Sequence, residues 1–339
     1  MTTDTVLVTG GTGFLGVHVI AQLIECGYSV RTTVRDPQRE DEVRSGLKRA
    51  DIAEDRVEFF TANLSEDTGW PSAIHGARYV LHVASPFPPA MPKDENDVIL
   101  PARDGALRVL RAARDDGVER VVMTSSFAAV GYGHAAREQE FTEHDWTNID
   151  APLSAYIRSK AVAERAAWEF VEREGGSLEL TTINPVGIFG PPLTPDLSAS
   201  IGLARQMLTA MQAVPRLATT VVDVRDVADL HIRAMTAPQA AGQRFLASTG
   251  EPLTFQDVAR ILRKAVGAIN AELPILSDEA VLEAAKMDPG MAGMVGELGK
   301  RRRVSSAKAR ALLNWTPRTN AEALEATAQA LRELGLLPL

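Results

Sequence analysis

Short hydrophobic runs alternate with longer amphipathic stretches through the first half of the chain. The runs have the length and composition of buried strands and predict strands at 5–8, 29–34, 57–61, 79–83, 120–124 and 179–183. Apolar residues at helical spacing predict helices at 14–25, 97–114 and 155–174, with a more polar helix at 41–49. Alternating strands and helices form a parallel sheet covered on both faces. The sequence therefore predicts an α/β, doubly wound sheet of the Rossmann type, with ligands beyond the carboxyl ends of its strands.

The pattern changes after residue 183. Residues 184–199 hold four prolines and are predicted to be irregular. A strand at 219–224, a helix at 226–235 and a short strand at 244–247 follow. Further helices are predicted at 255–266, where Thr254 and Asp257 resemble a capping box, and at 276–286 and 321–334. We expect residues 1–184, joined by 219–247, to form the Rossmann domain, and residues 185–218 and 248–339 a smaller, helix-rich substrate lobe.

Composition narrows the class of protein. Among 339 residues, 45% are hydrophobic and 24% charged, which is enough apolar material for a large core. A net charge of −8 argues against a nucleic-acid partner, and the single cysteine excludes an intrachain disulfide. The amino-terminal segment has neither the basic lead nor the long apolar run of a signal peptide or membrane span, so we expect a cytoplasmic protein. The six histidines show no metal-ligand spacing, and no metal is predicted.

A glycine-rich loop joins the first strand to the first helix, with Gly10, Gly13 and Gly16 at its key positions. Residues without a Cβ allow a sharp turn, close approach of a pyrophosphate to the backbone, and packing of the helix on the strand. The helix N-terminus adds free N–H groups that favour phosphate. In this strand–loop–helix context the loop predicts a dinucleotide site.

The residue after the second strand indicates which dinucleotide binds. An acidic residue at this position would hydrogen-bond the ribose 2′-hydroxyl of NAD, whereas an arginine suits the 2′-phosphate of NADP. Arg35 is at this position, and its guanidinium can bind a phosphate through two hydrogen bonds. The alternative is a surface arginine paired with Asp36. We predict NADP(H).

Three side chains carry the predicted chemistry. Tyr156 and Lys160 are four residues apart near the start of a predicted helix, so they share one face. A neighbouring ammonium would lower the pKa of the phenol, which could then give a proton to a carbonyl oxygen as hydride arrives at the carbon. Ser126 follows the fifth strand and can stabilise charge on that oxygen. The alternative is that the serines only cap a turn.

These motifs together resemble the extended short-chain dehydrogenases/reductases. The chain is most similar to the group of dihydroflavonol 4-reductase, cinnamoyl-CoA reductase and yeast methylglyoxal (carbonyl) reductase, over nearly its whole length. The matching segments are 8–16, 33–37, 82–86, 124–126, 156–160, 184–191 and 314–317.

The resemblance implies roles for individual residues. Tyr156 would be the proton donor, Lys160 would lower its pKa and hold the nicotinamide ribose, and Ser126 would orient the carbonyl. The implied cofactor contacts, besides Tyr156 and Lys160, are Gly10, Gly13, Phe14, Leu15, Gly16, Arg35, Asn63, Leu64, Val83, Ala84, Ser85, Thr124, Pro185, Val186, Gly187, Ile188 and Ser200. The implied substrate pocket contains Phe87, Phe127, Val130, Phe189 and Met207. The alternative for some of these apolar residues is that they pack the lobe interface.

The chain departs from the family pattern at three positions. Asn63 stands where the family has aspartate beside the adenine. Glu42 stands where plant members can offer lysine to the 2′-phosphate, and Arg39 or Arg44 is available to compensate. Gly131 stands where plant flavonoid reductases use asparagine, which argues against a plant flavonoid substrate.

We therefore predict an NADP-dependent oxidoreductase that reduces an aldehyde or ketone to an alcohol, with a small-molecule carbonyl compound as its partner. Three alternatives stay open: a hydroxysteroid-type alcohol dehydrogenase, a sugar-nucleotide epimerase or dehydratase, and a non-catalytic NADP-sensing regulator. Dehydratases of this fold carry Thr-Asp-Glu where this chain has Ser126-Phe127-Ala128, and regulators lack the Tyr–Lys pair. By analogy with the family, we expect a monomer or a homodimer formed through the helices 97–114 and 155–174.

Overall fold

The computed structural model describes residues 4–86, 94–195 and 198–337. Within these ranges the strands are β1 (Thr5–Thr9), β2 (Ser29–Val34), β3 (Val57–Thr61), β4 (Tyr79–His82), β5 (Arg120–Thr124), β6 (Glu179–Pro185), β7 (Gly187–Phe189), β8 (Ala218–Thr219), β9 (Val221–Asp223), β10 (Arg244–Ala247) and β11 (Leu253–Thr254). The helices are α1 (Phe14–Glu25), α2 (Glu40–Arg49), α3 (Trp70–Ile74), α4 (Asn96–Asp115), α5 (Ala155–Glu174), α6 (Ala199–Thr209), α7 (Val224–Thr236), α8 (Phe255–Ala265), α9 (Asp278–Ala284), α10 (Pro289–Val295), α11 (Ala307–Leu313) and α12 (Asn320–Glu333).

Seven strands of the described ranges form one parallel sheet in the order β3-β2-β1-β4-β5-β6-β10. The chain runs outward from β1 to β3, returns to β4 on the other side of β1, and continues outward to β10. The winding direction therefore reverses between β1 and β4, which is where a sheet of this topology binds its ligand. The predicted doubly wound α/β fold is confirmed.

Both faces of the sheet are covered, and the side chains of β1 show how. Val6 and Val8 point into the larger hydrophobic core, which α1, α2 and α7 complete. Leu7 points the opposite way, into a second core beneath α3, α4 and α5. Successive residues of a strand face opposite sides of the sheet. A strand buried on both sides therefore has an uninterrupted hydrophobic run, as β1 does.

The larger core continues into the C-terminal helices. Met207 of α6, Leu262 of α8 and Leu331 of α12 belong to the same buried cluster as Val8 of β1. The predicted helix-rich region is present, and it shares its core with the sheet. None of the helices in the described ranges has the length and apolar character needed to cross a membrane.

The segment 184–199 differs from its prediction as wholly irregular. β6 extends to Pro185, and β7 pairs in parallel with β9. The predicted strand 219–224 is divided, because β8 pairs instead with β11 and β9 ends at Asp223. Asp223 begins α7 by accepting a hydrogen bond from the backbone N–H of Arg225 at 2.9 Å. Strands of two or three residues contain too few alternating positions for a sequence pattern to detect.

Candidate active site

The glycine loop folds closely against the end of β4. Gly10 has a φ of +73°, and a Cβ there would lie 3.0 Å from the Cα atom of Ala84. A Cβ on Gly16 would lie 2.2 Å from the carbonyl oxygen of Gly10. Gly13 begins α1 without a side-chain cap, so the N–H groups of the first turn stay available to an anion. The loop therefore has the shape and the donors of a phosphate cradle.

A cavity of about 820 Å³ opens at the carboxyl ends of the strands, beside this loop. The predicted site residues that line it are Gly10, Gly13, Phe14, Leu15, Arg35, Asn63, Leu64, Val83, Ala84, Ser85, Thr124, Ser126, Tyr156, Lys160, Pro185, Val186, Gly187, Ile188 and Ser200. Gly16 is set back from the wall and supports Gly10 from beneath. The fold thus brings the predicted cofactor contacts, from segments up to Ser200, to one cavity.

The three reactive side chains meet at this cavity. Tyr156 and Lys160 lie one turn apart at the start of α5. Ser126 lies two residues after the end of β5, and its hydroxyl is hydrogen-bonded to the phenol of Tyr156. The Nζ atom of Lys160 lies 5.6 Å from the centre of the Tyr156 ring and donates a hydrogen bond to Oγ of Ser85 at 2.7 Å. A hydroxyl and a phenol that bond to each other at a cavity wall can both reach one carbonyl oxygen.

Arg35 directly follows β2 and lines the cavity. The predicted alternative was an ion pair with Asp36, but the described residues show no such pair. The Asp36 carboxylate instead accepts a hydrogen bond from the backbone N–H of Gln38 at 2.9 Å. The guanidinium of Arg35 is therefore positioned to bind an anion in the cavity.

A second arginine lines the cavity near Arg35. Arg39 donates two hydrogen bonds, of 2.9 and 2.7 Å, to the carboxylate of Glu42. Arg44 points elsewhere: it bonds the carbonyl oxygen of Glu54 and lies over the Phe59 ring. Of the two residues that could compensate for Glu42, the structure thus brings only Arg39 to the cavity.

Comparison with known proteins identifies the family of the chain. The model of the NAD-dependent epimerase/dehydratase family matches residues 6–247. A cinnamoyl-CoA reductase of Medicago truncatula is 34% identical over 267 residues, covering 77% of this chain and 80% of the relative. An anthocyanidin reductase of Vitis vinifera is 34% identical over 256 residues, covering 70% and 75%. The crystal structure of yeast methylglyoxal/isovaleraldehyde reductase complexed with NADPH matches 98% of this chain and 99% of that chain, with a TM-score of 0.79 and 27% identity.

The chain belongs to the NAD-dependent epimerase/dehydratase family, which consists of extended short-chain dehydrogenases.

In this extended short-chain dehydrogenase, burial has the largest effect on the pKa of the reactive residue Tyr156. Burial raises the pKa of Tyr156, and the hydrogen bond from Ser126 offsets only part of that rise. The expected lowering by Lys160 does not appear among the causes of this shift, and the Lys160 ammonium donates its hydrogen bond to Ser85. Burial lowers the pKa of Lys160 to about 8. The phenol is therefore protonated at neutral pH.

Two buried histidines hold the strand ends that carry the cavity wall. Nδ1 of His82 and Oγ1 of Thr9 are hydrogen-bonded at 2.8 Å, and the N–H of Ala84 donates a hydrogen bond to the same Oγ1 atom at 3.0 Å. Oγ1 of Thr124 is 2.7 Å from Nε2 of His231. Burial lowers the pKa of both histidines to about 4, so both are neutral at pH 7. They are structural in this site.

Four of the residues predicted for the substrate pocket lie in hydrophobic cores and not at the cavity wall. Phe127 and Val130 form a small buried cluster with Phe141, and Phe189 and Met207 belong to the larger core. Their exposures are 7%, 0%, 2% and 0%, in the order Phe127, Val130, Phe189 and Met207, and none of them lines the cavity. For these four residues the structure supports the alternative of lobe packing, because their side chains are enclosed by neighbouring elements. Phe87 lies outside the described residues.

Gly131, the departure from the plant flavonoid reductases, has a steric cause. A Cβ on Gly131 would lie 2.0 Å from Cζ of Phe127. The Phe127 ring is held in place by Phe141, edge to face, at 5.5 Å between ring centres. An asparagine at position 131 would therefore need the buried phenylalanine to move.

Several residues of the cavity wall were not singled out from the sequence. Some of these residues adjoin predicted contacts at strand ends, and their position in the sequence could have identified them. Trp70 and Pro101 lie on helices, and no sequence pattern points to them. The additional wall residues are Thr12, Thr33, Val34, Ala62, Ser65, Trp70, Pro86, Pro101, Ser125, Ser198 and Ala199.

Proposed function

We propose that this extended short-chain dehydrogenase reduces an aldehyde or ketone to the alcohol with NADPH. The observation that carries the proposal is the hydrogen bond between the hydroxyl of Ser126 and the phenol of Tyr156 at the wall of the dinucleotide cavity. Two O–H groups that converge at one place can stabilise and protonate a single carbonyl oxygen. The relatives named as reductases support the same reaction.

The residues that line the cavity have the shape and charge needed to bind NADPH. Gly10 and Gly16 leave a cradle that a Cβ would fill, and the uncapped start of α1 offers N–H groups to a pyrophosphate. Arg35 would hold the 2′-phosphate, whereas Arg39, beside it at the cavity wall, is paired with Glu42. Lys160 would hold the nicotinamide ribose. When bound, NADPH supplies the hydride.

The protonation state of Tyr156 suits reduction. Because burial raises its pKa, the phenol carries its proton at neutral pH and can donate it to the carbonyl oxygen. Ser126 donates a second hydrogen bond to that oxygen, so negative charge developing there meets two donors. The cavity wall that holds Tyr156 and Ser126 also includes the apolar residues Pro185 and Val186.

We further propose a division of labour along the chain. Residues 1–184 with 219–247 form the NADPH-binding domain, and residues 185–218 with 248–339 form the substrate lobe, of which Pro185, Val186, Gly187, Ile188 and Ser200 also line the NADPH cavity. Composition, with one cysteine in 339 residues, supports a cytoplasmic protein.

The protein works as a monomer or as a homodimer formed through α4 and α5, which pack along each other. Size-exclusion chromatography with light scattering distinguishes the two states.

The proposal is tested by NADPH oxidation with aromatic aldehydes, α-diketones, β-ketoesters and steroid ketones, repeated with NADH. We expect consumption of NADPH with at least one class and a slower rate with NADH. Tyr156→Phe keeps the size of the side chain and removes the proton, and should lose about 10²–10⁴-fold in kcat. Full activity of Tyr156→Phe would overturn the mechanism.

A further inference from the structure

A buried carboxylate lies directly behind the reactive residues. Glu164 is on α5, two turns after Tyr156 and one turn after Lys160, and its residue is 0% exposed. Its Oε1 atom accepts hydrogen bonds from Nε of Arg244 on β10 at 2.7 Å and from Thr182 on β6 at 3.0 Å. Glu164 therefore connects the helix that carries Tyr156 to two strands of the sheet.

The other carboxylate oxygen reaches toward the site. Oε2 of Glu164 accepts hydrogen bonds from Nδ2 of Asn184 at 2.6 Å and from Oγ of Ser125 at 2.5 Å. Nδ2 of Asn184 donates a further hydrogen bond to the carbonyl oxygen of Ser126 at 3.2 Å. Two links, one through Ser125 and one through Asn184, thus connect Glu164 to the backbone on which the Ser126 hydroxyl is mounted.

Stability is an insufficient reason for this arrangement. Replacing a buried ion pair by apolar residues of similar volume is often neutral or stabilising, because taking charges out of water costs about what their attraction returns. Glu164 and Arg244 are both buried, so they fall in this class. What only a carboxylate can do here is accept from Arg244, Ser125 and Asn184 together and so define their positions.

We propose that Glu164 is a positioning residue for the carbonyl reduction. Its accepted hydrogen bonds hold the end of β5 against α5, so that the Ser126 hydroxyl and the Tyr156 phenol converge on one substrate oxygen. This inference rests on the proposed roles of Ser126 and Tyr156. Displacing either donor from the substrate oxygen would slow the chemical step, while the distant phosphate cradle would bind NADPH as before.

The principal test is Glu164→Gln. Arg244 can only donate, so the carbonyl oxygen of the new amide must face it, and the NH₂ group then replaces the oxygen that accepts from Asn184 and Ser125. Asn184 can accept from this NH₂ group only by turning its own amide, which breaks its hydrogen bond to the carbonyl oxygen of Ser126. We expect kcat at saturating substrate and NADPH to fall by about tenfold or more, with the Kd for NADPH unchanged within about twofold.

The matched control is Glu179→Gln. Glu179 also pairs with a buried arginine, Arg120, at 2.6 Å, but lies at the amino end of β6, whereas Asn184 lies near the carboxyl end. We expect it to lower Tm and leave kcat unchanged, measured well below both Tm values. A loss of kcat in Glu164→Gln below about fivefold, or an equal loss in both variants, would overturn the inference.

A double-mutant cycle tests the route through Asn184. Asn184→Ala keeps the ion pair between Glu164 and Arg244, so it also serves if Glu164→Gln does not fold. We expect Asn184→Ala alone to lower kcat, and the double variant Glu164→Gln/Asn184→Ala to lose little more than the worse single variant. Wild-type kcat in Asn184→Ala, or fully additive losses, would contradict the route.

The outcomes separate this inference from the proposed function. If the wild-type protein oxidises no NADPH with any carbonyl class, or Tyr156→Phe stays active, the proposed function fails first. If the wild type is active, Tyr156→Phe is inactive and Glu164→Gln keeps its kcat, only the role of Glu164 is wrong.

Discussion

The Nζ atom of Lys160 donates a hydrogen bond to the Oγ atom of Ser85 across 2.7 Å, although the two residues are 75 positions apart. The bond joins the start of α5 to the segment that follows β4, next to the point where the winding of the sheet reverses. It holds the ammonium at the cavity wall, 5.6 Å from the centre of the Tyr156 ring. This position agrees with the proposed contact of Lys160 with the nicotinamide ribose, while burial and Ser126 shift the pKa of Tyr156.

The lowered pKa of Lys160 predicts a specific dependence of stability on pH. Burial lowers this pKa from 10.5 to about 8, so below pH 8 the folded protein bears the full cost of burying the charge. Between pH 8 and 10.5 the unfolded chain binds more protons at this site, and the free energy of unfolding rises with pH. We expect Lys160→Met to be more stable than the wild type at neutral pH, and this advantage to shrink across that interval. Urea unfolding at a series of pH values measures it; an advantage that does not vary with pH would contradict the prediction.

Ser126 should control the ionisation of Tyr156. The serine hydroxyl lowers the pKa of the phenol while burial raises it, so Ser126→Ala should move the ionisation to a higher pH. Absorption titration, with Tyr156→Phe as the reference, reports the phenolate. We also expect kcat to fall by about 10²–10³-fold through loss of a donor to the carbonyl oxygen. Ser65→Ala, at another part of the same wall, is the control and should alter neither quantity.

Arg35 should determine the preference for NADPH. Arg35→Ser removes a guanidinium that faces the cavity, and we expect the Kd for NADPH to rise by about 10–100-fold while the Kd for NADH changes little. Isothermal titration calorimetry with both nucleotides measures the difference. Arg44→Ser is the matched control, because that side chain lies over Phe59, outside the cavity wall. Equal weakening of both nucleotides in Arg35→Ser would show that the arginine does not read the 2′-phosphate.

Gly10 should be required for space as well as for conformation. Gly10→Ala places a methyl group 3.0 Å from the backbone of Ala84 at a φ of +73°. Gly27→Ala has a comparable φ of +86° and meets nothing within 4 Å, so it carries the conformational cost alone, about 1–2 kcal/mol. We expect Gly10→Ala to be the less stable of the two and to bind NADPH more weakly. Similar unfolding free energies and unchanged NADPH binding would argue against a tightly fitted cradle.

Gly131 should resist the asparagine of the plant flavonoid reductases. Gly131→Asn forces a Cβ to within 2.0 Å of the Phe127 ring, and overpacking of this kind costs about 1–3 kcal/mol. Thermal unfolding measures the loss. Adding Phe127→Leu makes room and should recover part of it, and a double variant less stable than Gly131→Asn alone would show that the contact is not the cause.

Much of the fold and part of the site could be predicted because their signals are local. The strands of the main sheet appeared within about two residues of the hydrophobic runs, and the capping box of α8, formed by Thr254 and Asp257, is present. The pairing of β7 with β9 was missed, since such short strands are defined by their partner and not by a pattern. Phe189 and Met207, which were predicted for the substrate pocket, are buried in the larger core, since an apolar residue near a site in sequence can equally fill the core.

The sequence by itself determined the parallel sheet, the glycine cradle after β1, the arginine after β2 and the spacing of Tyr156 and Lys160. The period of hydrophobic residues, the absence of a Cβ atom in glycine and the helical repeat are properties of residues close together in the sequence. They do not depend on which distant residues the fold brings near. Only the tertiary structure decided that Lys160 bonds Ser85, that burial governs the pKa of Tyr156, and that Glu164 lies between Arg244 and Asn184. Desolvation and hydrogen-bond partners depend on residues brought together from distant parts of the chain, and no local pattern encodes them.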